Sequence, residues 1–127
     1  MNVAEPAPIT VETLGSGVHR AEPYCIFSSE RARSSRMYKD EDISLVIWNL
    51  EPGQTTKAHA HPESAHTFYL LSGRGEYIQE DLPPAAIGPG DCVIIPRTVR
   101  HAITNTGDEP LSYLAFTSQG PSGYSRA

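Results

Sequence analysis

The stretch Gly53-Gln54-Thr55-Thr56-Lys57-Ala58-His59-Ala60-His61-Pro62-Glu63-Ser64-Ala65-His66, running on to Gly73, places three of the five histidines within eight residues. A fourth, His101, follows a second run punctuated by glycine and proline, Gly90-Asp91-Cys92-Val93-Ile94-Ile95-Pro96. Side chains at i and i+2 of an extended segment leave the same face of a sheet, so His59 and His61 can aim their ring nitrogens at one point. His66 lies beyond a bend at Pro62 and reaches that point if the chain folds back onto a neighbouring strand. His101 must arrive from a remote strand. Imidazole suits first-row transition metals, whereas calcium and magnesium take oxygen ligands. The four imidazoles His59, His61, His66 and His101 therefore read as one metal site.

The spacing around these residues resembles a known pattern. Gly53, His59, His61 and Gly73 match the first cupin motif, Gly-x5-His-x-His-x4-Glu-x6-Gly, with His66 where the family usually has glutamate. Gly90, Pro96, His101 and Asn105 match the second, Gly-x5-Pro-x-Gly-x2-His-x3-Asn, with Thr98 in place of a glycine. His66 for glutamate leaves an uncharged, all-nitrogen ligand set, so a divalent ion keeps its full charge and favours an anionic or enolisable small molecule. The resemblance implies manganese or iron first, with copper, nickel or zinc as alternatives, and two adjacent coordination positions open. Glu63 is a competing ligand whose alternation parity fits and whose place in the motif does not. Thr98 bears on the turn geometry, because glycine would permit positive φ there.

Around these motifs, 127 residues with 39% hydrophobic side chains suit one domain with a real core. No run approaches a membrane-spanning length, and Met1-Asn2-Val3-Ala4-Glu5-Pro6 lacks the basic-then-apolar order of a signal peptide, so a cytoplasmic location is the default expectation. Cys25 and Cys92 are too few for a disulfide framework and are expected to be reduced. The net charge of −5, with no basic patch interleaved with aromatics, argues against nucleic acid as a partner.

Residues 1–8 read as an arm, 9–118 as the folded domain and 119–127 as a flexible tail. Ile9–Leu14 alternates in the manner of a strand, and Arg20–Ser28 reads as a second. In small cupins such N-terminal strands complete a partner's sheet, so the resemblance implies a homodimer. Ser29–Asp42 reads as a solvated loop, and Arg31, Arg33 and Arg36 within it receive no function. Ile43–Leu50, Thr67–Leu71, Glu76–Gln79, Cys92–Ile95 and Leu111–Ser118 are expected strands, the fourth short and buried, while Leu82–Gly90 reads as a loop. Counting by two from His66 sends Phe68 and Leu70 inward and Tyr69 outward. Ile103 shares the parity of His101, and Asn105 is suited to closing the next turn. Trp48, Phe68, Leu70, Ile103 and Tyr113 are the cavity-lining candidates.

About eight short strands at regular spacing predict an all-β barrel or jelly roll, and the resemblance selects the double-stranded β-helix. An interior shared by all strands explains how ligands distant in sequence converge. The resemblance makes dioxygenase-like cleavage of an enolisable or aromatic substrate the leading expectation. A metal-dependent lyase or isomerase and a non-catalytic ligand-binding module are the alternatives. No general acid or base stands out: Tyr69, Tyr77 and Glu63 are near the motifs in sequence only, and His19 is remote.

Overall fold

The computed structural model describes residues 9–56 and 66–118. Eight strands make up nearly half of them: β1 Arg33–Lys39, β2 Ile43–Leu50, β3 His66–Ser72, β4 Gly75–Gln79, β5 Ala85–Ile87, β6 Cys92–Ile95, β7 His101–Thr104 and β8 Leu111–Ser118. They form a five-stranded sheet in the order β1-β2-β8-β3-β6 and a three-stranded sheet in the order β5-β4-β7. Every pairing is antiparallel. The crossing order, with the last strand between β2 and β3, is that of a double-stranded β-helix, as the motif spacing implies.

Alternation explains how the concave faces fill. Cα partners in an antiparallel pair share a face, and the register aligns Phe68 with Ala115 and Val93, and Leu70 with Tyr113. Phe68, Leu70, Tyr113, Ala115, Val93, Ile95, Leu50 and Leu111 are buried and, with Tyr77, Ile87 and Ile103 of the smaller sheet, form one core. Tyr69 is 44% exposed on the convex face, the outcome the parity from His66 predicts. Asn105 is buried; its amide donates to the carbonyls of Leu50 and Glu109, and its Oδ1 accepts from Gly107 N–H. It closes the β7–β8 turn and ties it to the end of β2.

Five expectations need correction. Ile9–Leu14 is not a strand: Val11–Leu14 is a single helical turn, α1, in which the Thr13 hydroxyl accepts the Thr10 N–H. Local capping wins because, among the described residues, the backbone hydrogen bond that joins the segment to β1 is the Lys39 N–H to Ile9 carbonyl bond. Arg20–Ser28 holds a 3₁₀ turn at Glu22–Tyr24 in place of a strand, where Pro23 removes a ladder donor and fixes φ. Ser29–Asp42 is not a solvated loop, since it contains β1, and Met37 within it is buried. Leu82–Gly90 contains the short strand β5. Finally, β6 is buried on one face only, with Ile94 78% exposed.

Candidate functional site

His66 opens β3 and His101 opens β7, one on each sheet, and both are buried. Their ring centroids are 5.5 Å apart with planes tilted by 55°. At that separation two ring nitrogens can both meet one ion at about 2.1 Å. His101 Nδ1 lies 3.0 Å from the Val99 carbonyl. A carbonyl only accepts, so Nδ1 carries the proton and Nε2 is the basic nitrogen. The Thr117 hydroxyl, 3.2 Å from His66 Nδ1, orients the other ring. Nε2 is buried in both rings, and outer hydrogen bonds of this kind fix ligating histidines.

His59, His61 and Glu63 lie outside the described residues. The donors that are described fit a transition metal: two buried imidazoles, at least one in the ligating tautomer, face each other across the interior.

Phe68 fills the space beneath. Its ring is 6.1 Å from His66, edge-on, 5.7 Å from His101 and 4.7 Å from Tyr113. Leu70, Ile103 and Tyr113 are buried deeper, in the core, and burial pushes the Tyr113 hydroxyl far above the usual phenol range. Trp48 packs partly against the core and also lines a groove of about 370 Å³ with Ser28, Arg31, Ala32, Arg33 and Ser34.

The smaller sheet contributes a polar relay that sequence reasoning did not find. Gln79 is the Cα partner of His101; its Oε1 accepts from the Tyr77 hydroxyl at 2.6 Å, and its Nε2 donates to Asp81 at 2.7 Å. Burial first, then the Asp81 charge, raises the Tyr77 pKa. Tyr77 is buried in the core, whereas Tyr69, the other tyrosine near the motifs, faces away from it. His19 is exposed, its Nε2 2.7 Å from the Gly15 carbonyl. Ser44 and Thr117 complete the His66 row, joined as Cα partners across β2, β8 and β3.

Thr98 adopts φ 68°, alone among the described non-glycine residues in the left-handed region. The turn before His101 thus keeps the geometry that a glycine would supply at that motif position, with a β-branched residue in it.

The family model described as "Cupin domain" matches residues 46–117. The chain is 39% identical over 79 residues to dimethylsulfoniopropionate lyase DddQ of Ruegeria pomeroyi, covering 62% of this chain and 38% of that protein. It is 32% identical over 90 residues to a glucose-6-phosphate isomerase of Thermococcus kodakarensis, covering 61% of this chain and 48% of that protein. The chain thus spans half or less of the length of these two curated relatives. A solved structure from Klebsiella pneumoniae, an uncharacterized conserved protein with a double-stranded β-helix domain, superposes with a TM-score of 0.78 at 26% identity, covering 87% of this chain and 96% of that one.

Proposed function

The chain belongs to the cupin family, and on that premise we propose that it is a metal-dependent enzyme moving a proton next to a carbonyl or carboxylate of a small anionic molecule, as lyases and isomerases do. The observation that carries this reading is the buried His66–His101 pair, with the Val99 carbonyl holding His101 in its ligating tautomer. Two relatives, a lyase and an isomerase by name, support the reaction class. His59, His61, His66 and His101 would hold one divalent ion, manganese or iron before copper, nickel or zinc. Bound there, such an ion supplies Lewis acidity toward a substrate oxygen.

The chain's own residues do the rest. Val99 and Thr117 orient the imidazoles, and Phe68 closes the space below them to water. Tyr77, its pKa raised by burial, keeps its proton at neutral pH and donates it to Gln79 Oε1 rather than acting as a base.

Elemental analysis of wild type and His101→Ala tests the metal, and oxygen uptake during turnover tests the chemistry. We expect about one metal equivalent in wild type, its loss in the variant, and turnover without oxygen consumption. Stoichiometric oxygen uptake would replace this reading with the dioxygenase-like one. A wild type that takes up no metal even on reconstitution would leave a ligand-binding module.

We further propose a homodimer through the convex face, where Tyr69, Ile94 and Phe116 expose apolar surface on adjacent strands. Light scattering that finds a monomer for wild type, or an unchanged dimer for Ile94→Asp, would reject that contact.

A further inference from the structure

We propose that Arg36 binds the anionic head group of the ligand, an inference that rests on reading this interior as the ligand site. In β1, Arg36 is the Cα partner of Val46, which packs against the core, so its side chain leaves the concave face. The row continues through Ala115 to Phe68, directly below His66. Arg36 Nε is buried and has no hydrogen-bond partner among the described residues. A buried guanidinium nitrogen without an acceptor is costly, and an incoming oxyanion removes that cost.

Charge supports the same occupant. Lys39, beyond the irregularity between Arg36 and Tyr38, pairs with Ser44 and so belongs to the concave face in the His66 row. No described strand residue on either concave face is acidic, although the whole chain carries a net charge of −5. Two cationic side chains on the concave face of the larger sheet attract an anion to it.

The geometry selects its size. Arg36 and the His66 strand are three strand spacings apart, about 14 Å along the hydrogen-bonding direction, and the guanidinium stem and the imidazole shorten that gap from both ends. A molecule of a few carbons, its oxyanion on Arg36 and its reacting end at the histidines, spans what is left. The planar fork of arginine matches carboxylate or phosphate with two parallel bonds.

Trp48, the only tryptophan, follows Val46 by two on the same face and reports binding by fluorescence. The purified protein, as isolated and after chelation, is titrated with malonate, glycerol 3-phosphate and neutral malonamide; the same is done for Arg36→Met and Arg36→Lys. We expect Arg36→Met to weaken one or both oxyanions about tenfold or more and leave malonamide unchanged, with Arg36→Lys intermediate and metal equivalents as in wild type. The preferred anion then identifies carboxylate or phosphate as the head group.

Equal oxyanion affinity in wild type and Arg36→Met, or no oxyanion binding by wild type, overturns the proposal. So does a lower melting temperature with an unchanged ratio of malonate to malonamide affinity, which marks a structural role only. If Arg36→Met fails to fold, Arg36→Lys decides: a several-fold loss for the oxyanions alone supports the proposal, and no loss overturns it. Loss of the metal reading appears separately, in the elemental analysis, because the chelated protein still reports the Arg36 contact.

Discussion

The two ends of the concave interior are built from the same strands and differ in chemistry. Along β3 the inward residues run His66, Phe68, Leu70; along β8, Thr117, Ala115, Tyr113, Leu111; along β2, Ser44, Val46, Trp48, Leu50. One end is polar and carries the imidazoles, and the other is a dry floor where Leu50, Leu70 and Leu111 are fully buried. A strand cannot change its pairing over a few residues, so the division is made by side chain alone. The fully buried leucines are at the floor and the buried imidazoles at the polar end, and we expect each end to tolerate change with little effect on the other.

The sharpest way to break that division is Leu111→Ala. Removing this fully buried side chain should cost about 3 kcal/mol and leave metal equivalents unchanged, as urea denaturation and elemental analysis would show. Comparable loss of metal would mean that the two ends are coupled.

At the polar end, pH does what truncation does at the floor. Histidine binds metal only when neutral, so at the proposed site occupancy should be full above the usual imidazole pKa and fall as pH drops below about 6. The metal-free barrel should stay folded through that range by circular dichroism. Unfolding in step with metal loss would make the ion part of the fold.

Thr98→Gly relieves the left-handed strain in the turn before His101 and should stabilise the protein by about 1 kcal/mol, read as a higher urea midpoint. No gain would show that the surrounding turn already compensates.

The smallest effect is expected outside the interior, at the β1–β2 turn. Asp40 accepts hydrogen bonds from the Tyr38 hydroxyl and from the N–H groups of Ile43 and Asp42, which hold its carboxyl below the usual value of 3.8. A depressed carboxylate contributes stability above its unfolded pKa and loses it as pH falls through the folded value. Asp40→Asn should therefore lower the melting temperature slightly at pH 7 and match wild type at pH 2.

The strands that the sequence revealed are those with one wet face and one dry face. β3 and β8 announce themselves because Phe68 and Leu70, or Tyr113 and Ala115, alternate with residues that meet solvent or the outer layer. β1 is silent for the opposite reason. Arg33-Ser34-Ser35-Arg36 is polar on both faces, so no apolar alternation registers. The feature that hid β1 is the one that gives it a role. β5, a three-residue strand directly after Pro83-Pro84, is too short for a period to register.

In the site, glycine and proline spacing marked His66 and His101, but Gln79 and Arg36 are placed by register across strands distant in sequence, which no local pattern encodes. The alternation of Ile9–Leu14 misled because a strand needs a neighbour, and among the described residues this segment has one backbone bond to β1 to offer.

The position of β8 also bears on how the chain is made. It is the last of the eight strands to be synthesised, yet it lies in the middle of the larger sheet, pairing Leu45 with Phe116 on one side and Phe68 with Ala115 on the other. Nascent β2 and β3 therefore wait with open hydrogen-bonding edges until residue 118 has been added, a few seconds at ordinary elongation rates. During that interval both edges are open to pairing with other chains.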